Sequence, residues 1–150
     1  MSDKKYKLPL GFMASGVHCG IKKNDNKDLA LIVSDIPAQA AGVYTKNIVK
    51  GHSLKWTMKH LEGNRIKAIT INSGNANACV GTAGDDDAEF IADYTAKLVG
   101  CDKNEVLLGS TGVIGHRLPI GNIKTGINKA YEQLSADGAS NAAIAIMTTD

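Results

Sequence analysis

Short apolar runs bounded by polar residues or glycines recur along this chain, and they limit the folds that it can adopt. Residues 29–33 read Leu-Ala-Leu-Ile-Val between two aspartates, 66–71 alternate apolar and polar side chains, and 106–108 end at a hydroxyl-rich turn. Runs of this length are too short for helices and predict β-strands. Residues 42–45 are a further β-prone piece, and 11–21 suit an edge strand or a hairpin.

Amphipathic segments between these runs predict helices. In residues 86–99 apolar side chains recur at helical spacing, which places them on one helix face. Three aspartates at 85–87 start this segment, where the helix dipole favours negative charge, and Gly100 ends it. The other predicted helices are 53–61 with Ser53 as N-cap, one that begins at Pro119, and one from the cap Ser140 through Met147. The mixture of strands and helices predicts an α/β or α+β fold.

The composition and charge of the chain argue against several classes of protein. Its 150 residues suffice for a single domain, 1–150, with a loose polar tail over residues 1–8. The net charge is +2, the charges are interspersed and aromatic residues are 5% of the chain, so no nucleic-acid partner is expected. No apolar run approaches the roughly 20 residues that span a bilayer, so no membrane is expected. The three cysteines form no CxxC pair, which favours a cytoplasmic compartment and no metal site.

The turn at residues 110–115, Ser-Thr-Gly-Val-Ile-Gly, is the first candidate functional segment. A strand that ends in such a turn can direct the Thr111 hydroxyl and the Gly112 N–H toward one small space, an arrangement that stabilises a negatively charged oxygen. A second turn at 73–79, Ser-Gly-Asn-Ala-Asn-Ala-Cys, is either a tight strand-to-loop turn or a loop that lines a substrate site. Together the two turns point to an acyl-transfer site.

The other chemistry-bearing residues favour structural interpretations. Adjacent carboxylates at 85–87 cannot all converge on one cation, so we interpret them as helix capping. The apolar neighbours of Cys79 favour a buried, inert thiol over a nucleophile. Four histidines are possible general bases without a partner visible in the sequence. They are His18, His52, His60 and His116, of which the last follows the glycine turn.

Five motifs, in order along nearly the whole chain, resemble the N-terminal part of the ornithine acetyltransferase family, also called glutamate N-acetyltransferases. The motifs are GFMASG at 11–16, GVYTKN at 42–47, SGNANAC at 73–79, STGVIG at 110–115 with Leu118 and Pro119, and AIMTTD at 145–150. Two of these motifs, SGNANAC and STGVIG, are highly specific as a pair. The resemblance implies the layered αββα sandwich of this self-processing superfamily. A departure lies at 50–54, where the family usually carries an Ala-Ala-Pro-Val-like stretch and this chain reads Lys-Gly-His-Ser-Leu.

The resemblance also implies a mechanism and roles for three residues. The family's precursor cuts itself before a threonine, which becomes the nucleophile of a second chain and carries the acetyl group as an acyl-threonine. Thr111 and Gly112 would form the oxyanion hole, and Thr148 would contact the substrate. The donor would be N-acetylornithine and the acceptor glutamate, with no cofactor, although acetyl-CoA is a possible second donor.

The position of the family's nucleophile affects what this chain is expected to do by itself. The resemblance places the catalytic threonine downstream of residue 150, so the chain resembles part of the α chain of an α2β2 heterotetramer. By itself it is expected to be inactive and poorly soluble, because apolar faces with Ile91 and Leu98, and with Ile120, Ile123 and Ile127, would need later segments to cover them. Two alternatives remain: an aminopeptidase of the same superfamily, and a non-catalytic domain that binds a small anion.

Overall fold

A computed structural model describes residues 6–63 and 65–148 of the chain. Most of the tail predicted over residues 1–8 therefore lies outside the described residues. The strands are β1 (Phe12–Val17), β2 (Leu29–Ala38), β3 (Ile66–Asn75) and β4 (Val106–Val113). The helices are α1 (His52–Leu61), α2 (Ala83–Val99), α3 (Ile120–Glu132) and α4 (Ala139–Ile146).

The four strands form one sheet in their sequence order, β1-β2-β3-β4. The first three strands are antiparallel to their neighbours, whereas β3 and β4 are parallel and are joined through helix α2. This mixture confirms the predicted α/β class, and the described residues contribute a single sheet to it. Strands β3 and β4 both extend beyond the apolar runs, so that Ser73–Asn75 and Ser110–Val113 are the last residues of strands instead of turns.

Helices cover both faces of the sheet. On one face, the side chains of α2 and α3 pack with alternate residues of the strands, including Leu29, Leu31 and Val106, in the main hydrophobic core. On the other face, α4 places Ala142 and Ala145 against β1 and β2. The approach of α4 is close, because a Cβ at Gly16 would lie 2.0 Å from the carbonyl oxygen of Asn141. A methyl group at this position would force the helix away from the strand.

The two apolar faces predicted to need later segments are mostly covered within this chain, and Leu98 and Ile120 are half-buried. Ile91, Ile123 and Ile127 are at most 3% exposed, because the α2 and α3 faces that carry them pack on the sheet within this chain. The predicted strand at 42–45 is wrong, since this segment pairs with no described strand and Val43 is fully exposed. Its β-branched residues could not form a strand without a neighbouring strand to pair with.

Boundaries of all four helices differ from the predictions by a few residues. Helix α3 begins at Ile120, and Pro119, predicted as its first residue, is its N-cap. Helix α2 begins at Ala83 instead of residue 86, and its end at Gly100, which has a left-handed backbone, is confirmed. Helix α1 begins one residue earlier than predicted, with Gly51 as N-cap, which leaves the Ser53 hydroxyl free for another partner. Helix α4 is capped by Gly138 and ends at Ile146, so Ser140 is not its cap and Met147 lies beyond it.

Helix α1 lies along the free edge of the sheet and completes the hydrogen bonding of β4. The Thr57 hydroxyl accepts a bond from the N–H of Leu108 at 2.8 Å and donates one to the carbonyl of the same residue at 2.7 Å. The indole N–H of Trp56 donates to the carbonyl of Val106 at 2.9 Å. Edge strands expose unpaired backbone groups, and α1 satisfies them here.

We expect Thr57→Val to lower the free energy of unfolding by roughly 1–3 kcal/mol, because it leaves both backbone groups of the buried Leu108 without a partner. The change keeps the size of the side chain, so packing is nearly preserved. Denaturant unfolding checks this expectation. Thr125→Val is the matched control, since that exposed hydroxyl bonds only within its own helix and should matter little. Equal losses of unfolding free energy in the two variants would contradict the role of Thr57 in pairing the edge of β4.

Candidate functional site

The parallel pairing of β3 and β4 places the two glycine motifs side by side. Ser73 is paired with Thr111, and Gly74 with Gly112, at the ends of the two strands. Gly112 has φ +131°, and a Cβ at this position would lie 2.4 Å from the carbonyl carbon of Gly74. Only glycine permits this approach and this backbone conformation. The sequence predicted both motifs but not their contact.

Hydrogen bonds between the segments after the two strands fix this arrangement. The N–H of Ala76 donates to the carbonyl of Val113, and the N–H of Gly115 donates to the carbonyl of Ala78, each at 2.8 Å. The buried amide of Asn75 donates to the carbonyls of His116 and Arg117 at 3.0 and 3.2 Å. The loop after β4 is therefore fastened to the loop after β3.

A row of buried and half-buried polar side chains links helix α1 to the ends of strands β3 and β4. The hydroxyls of Ser53 and Ser110 are 2.7 Å apart, and Ser110 donates to the Asn72 amide oxygen at 2.6 Å. The amide of Asn72 in turn donates to the carbonyl of Asn75 at 2.8 Å. This row explains why Ser53 does not cap helix α1, and it connects α1 to the residue before Thr111.

The strand ends open into a cleft with a volume of about 1250 Å³. All three residues predicted to act on the substrate line it: Thr111 and Gly112 from β4, and Thr148 after α4. Thr111 is exposed to the cleft, and its hydroxyl has no hydrogen-bond partner among the described residues. The structure thus brings the predicted residues together and leaves the Thr111 hydroxyl available to a ligand. The remaining lining comes from the 20–26 loop, from Gly74 and Asn75, and from residues 113–119.

Two contacts hold Thr148 at this cleft. The Ser73 hydroxyl donates to the carbonyl of Ala145 in α4 at 2.6 Å, which ties the helix end to strand β3. The ammonium group of Lys22 donates to the carbonyl of Met147 at 2.7 Å and to that of Lys27 at 2.9 Å. The close packing of α4 on β1 and these two contacts position a residue that lies far along the chain from Thr111.

Asp28, which was not among the residues predicted from the sequence, organises the 20–26 loop that lines the cleft. Its carboxylate is fully buried and accepts hydrogen bonds of 2.7–3.1 Å from four consecutive backbone N–H groups. Burial acts to raise the pKa of the Asp28 carboxyl, but these hydrogen bonds outweigh it and hold the pKa below its ordinary value. The donors are Cys19, Gly20, Ile21 and Lys22. Only the position of an acidic residue directly before a buried strand could have indicated this role.

The interpretation of the three aspartates as helix caps is wrong. Thr82 is the residue before α2, and no side chain caps it. Asp85 instead contacts Nδ1 of the buried His52 at 2.7 Å, and the buried Asp87 binds the Arg117 guanidinium through two nitrogens at 2.9 and 3.0 Å. These partners lie 33 and 30 residues away in sequence, so local sequence could not reveal them. Within 6–63 and 65–148, no cluster of three or more His, Cys, Asp or Glu residues could hold a metal ion.

Three of the four histidines have polar partners that the sequence did not show. Nδ1 of His18 is 2.9 Å from the Asn26 carbonyl, and Nδ1 of His60 is 2.8 Å from the Trp56 carbonyl. His52 contacts Asp85 as described above. His116 lines the cleft, is exposed, and its imidazole has no partner among the described residues. It is therefore the histidine best placed to meet a ligand.

The prediction that Cys79 is buried is wrong, because the residue is exposed and has a left-handed backbone with φ +59°. The other two thiols are partly buried. Burial, together with the Asp28 carboxylate, raises the pKa of Cys19 to about 12. Burial and the nearby Glu105 raise the pKa of Cys101 to about 11.

We expect iodoacetamide at pH 8 to modify Cys79 at least about tenfold faster than the other two cysteines, because alkylation requires an accessible thiolate. At this pH a thiol with the pKa of Cys19 is ionised to only about one part in 10⁴. Peptide mass spectrometry of the native chain measures the three rates, and the unfolded chain is the control in which they should converge. Similar rates in the native chain would contradict the described environments.

The comparisons with known proteins agree with this fold. A family model described as the ArgJ family matches residues 13–150. The chain is 46% identical over 148 residues to an arginine biosynthesis bifunctional protein ArgJ from Caldanaerobacter subterraneus, covering 99% of this chain and 36% of that protein. It is 41% identical over 143 residues to the ArgJ protein of Thermobifida fusca, covering 95% and 37% of the two chains. The chain thus spans about a third of the length of these relatives.

Solved structures resemble the chain over most of its length. A crystal structure of ornithine acetyltransferase from Mycobacterium tuberculosis, in complex with ornithine, matches with a TM-score of 0.92 and 40% identity, covering 95% of this chain and 78% of that one. An ArgJ protein from Bacillus halodurans matches with a TM-score of 0.86 and 39% identity, covering 94% and 74%. In the part of the chain that the structure describes, no helix is long and apolar enough to cross a membrane. The family model and the relatives together show that the chain belongs to the ArgJ family.

Proposed function

We propose that this chain is the N-terminal, α-chain portion of a cytoplasmic enzyme that transfers an acetyl group from N-acetylornithine to glutamate. The observation that carries the proposal is the single cleft shared by Thr111, Gly112 and Thr148. The relatives support it, since their names place them in arginine biosynthesis and one solved relative is an ornithine acetyltransferase. The enzyme needs no cofactor in this proposal, and acetyl-CoA is a possible additional donor.

The proposed chemistry divides between this chain and a later one. The nucleophile is a threonine of the β chain, released by cleavage of the precursor. Its hydroxyl gives its proton to the threonine's own amine or to a nearby base and attacks the acetyl carbonyl carbon of N-acetylornithine; that proton later goes to the leaving amine. The carbonyl oxygen becomes an oxyanion, and the Thr111 hydroxyl and Gly112 N–H donate hydrogen bonds to it. Collapse of this intermediate expels the ornithine amine, which takes up a proton, and leaves an acyl-threonine. The amine of glutamate then attacks the acyl-threonine, loses a proton and regenerates the nucleophile.

The direct test uses the complete enzyme, assembled from two α and two β chains in this proposal. We expect it to transfer the acetyl group of N-acetylornithine to glutamate and to release no product from a peptide amide. Cleavage of the peptide amide without acetyl transfer would instead support an aminopeptidase of the same superfamily. If neither reaction occurs but a small anion binds, the cleft belongs to a non-catalytic binding domain.

A second arm of this test uses the chain of residues 1–150 alone. We expect it to catalyse no acetyl exchange, because it offers hydrogen-bond donors for an oxyanion but no threonine nucleophile in this proposal. Measurable exchange would show that the nucleophile lies within the chain. The exposed Cys79 would then be the first residue to replace.

We expect Thr148→Val in the complete enzyme to raise KM for N-acetylornithine by about 2- to 10-fold, the loss of one hydrogen bond to the substrate. The reason is the position of Thr148 in the cleft, fixed by the contacts at the end of α4. Steady-state kinetics measure the change. Thr148→Ser keeps the hydroxyl and should keep KM, whereas unchanged KM in the valine variant would exclude the contact.

A further inference from the structure

The described lining of the cleft carries positive charge and no negative charge. Among the described residues that line it, Lys22, Lys23 and Arg117 are cationic, His116 is titratable, and none is an aspartate or glutamate. A cleft lined by one sign of charge concentrates ligands of the opposite sign. This pattern differs from the chain as a whole, in which 17 basic residues nearly balance 15 acidic ones.

The cationic groups that line the cleft are not equally available to a ligand. The Lys22 ammonium is occupied by the carbonyls of Lys27 and Met147. Arg117 uses Nε and Nη2 to bind Asp87, while its Nη1 has no partner among the described residues. Lys23 is exposed to the cleft, and its ammonium has neither a hydrogen bond nor an ion pair within the described structure. Among the described lining residues, Lys23 is therefore the lysine whose ammonium is free to meet a ligand.

The segment that carries Lys23 is held in place before any ligand arrives. Four N–H bonds to the Asp28 carboxylate fix residues 19–22, and the Lys22 side chain ties this loop to the end of α4. The charge of Asp28 is buried and satisfied by these donors, and Asp25 does not line the cleft. A preorganised loop binds with a smaller entropic cost than a loop that must order on binding.

We propose that Lys23 forms an anion-binding subsite at the rim of this cleft that takes an oxyanion group of a substrate. This proposal rests on the proposed acetyl transfer only for the identity of the substrates. The same chemistry fits the carboxylates of glutamate and N-acetylornithine and the phosphates of acetyl-CoA, since each offers acidic oxygens to a charged N–H donor. Lys23 determines affinity here and takes no part in bond making.

The kinetic test uses Lys23→Gln in the complete enzyme, with Lys55→Gln as the control because Lys55 is an exposed lysine of α1 outside the cleft. We expect KM to rise by about tenfold for the substrate whose anionic group is bound, with kcat nearly unchanged, as for the loss of one charge-assisted hydrogen bond. A rise for glutamate or N-acetylornithine identifies a carboxylate, and a rise for acetyl-CoA alone identifies a phosphate. Unchanged KM for all three substrates would overturn the proposal.

A binding test keeps the subsite separable from the catalytic proposal. Reductive methylation of Lys23 and Lys55 in the complete enzyme is followed by mass spectrometry, with N-acetylglutamate, which has two carboxylates and no free amine, or inorganic phosphate as the probe. We expect a probe to slow the methylation of Lys23 and to leave that of Lys55 unchanged. Protection without acetyl transfer would support the subsite and overturn the proposed function. Acetyl transfer without protection, and with unchanged KM, would overturn the subsite alone.

Discussion

Thr111→Ala in the complete enzyme is expected to lower kcat by about 10²-fold or more, the usual loss when one donor to an oxyanion is removed. The Thr111 hydroxyl lies in the cleft and has no hydrogen-bond partner within residues 6–63 and 65–148, so it can donate to the developing charge. A factor of 10² corresponds to about 2.7 kcal/mol of transition-state stabilisation. KM for N-acetylornithine should change much less, because the ground-state carbonyl carries little of the charge that the hydroxyl stabilises.

The matched variant Thr111→Ser separates the hydroxyl from the methyl group of the side chain. It keeps the donor and should retain most of kcat, whereas the alanine variant should not. Thr111 is an exposed residue at the end of an edge strand. Both variants should therefore change the free energy of unfolding by much less than the about 2.7 kcal/mol expected for the transition state. A folded Thr111→Ala enzyme with wild-type kcat would exclude the role in the oxyanion hole.

The sequence predicted those elements whose cause is local. Periodic apolar residues located α2 and α3, and short apolar runs located the N-terminal parts of β2, β3 and β4. The left-handed Gly100 at the end of α2 was predictable because glycine adopts this conformation at little cost. The segment at 42–45 shows the limit of this reasoning, since its β-propensity is not realised without a strand beside it.

The candidate site could be predicted in its parts but not in its assembly. The motifs that contain Gly74 and Gly112 were both visible, but their contact depends on the register of two parallel strands separated by a helix. The ion pair between Asp87 and Arg117 likewise depends on the packing of distant segments. The resemblance to a family supplied the role of Thr148, and the packing of α4 on β1 explains why that residue faces the same cleft.

The largest effect on stability is expected from Asp28→Asn. The carboxylate oxygen Oδ2 accepts three of the four backbone N–H bonds, and Oδ1 accepts the fourth, from Cys19. In asparagine an NH₂ group replaces one of these oxygens. Because NH₂ cannot accept a hydrogen bond, the N–H groups that point at it lose their acceptor in either orientation of the amide. Loss of charged hydrogen bonds in a buried site should cost about 3 kcal/mol or more. Denaturant unfolding at pH 7 measures this loss. Asp25→Asn is the control, because that exposed carboxylate of the same loop makes no hydrogen bond within the described structure and should change little.

The pH dependence of the stability lost in Asp28→Asn tests whether the loss comes from the charge of the Asp28 carboxylate. The pKa of Asp28 is lower in the folded chain than its ordinary value near 3.9, so its carboxylate adds stability above about pH 4 and loses it as the pH falls through the folded pKa. The difference in unfolding free energy between wild type and Asp28→Asn should therefore narrow as the pH falls below about 4. Hydrogen exchange should show faster exchange of the amides of residues 19–22 in the variant, since these are the donors that lose their acceptor. A variant with unchanged exchange at these amides and a pH-independent difference in stability would contradict the role of Asp28 in holding the loop that carries Lys23.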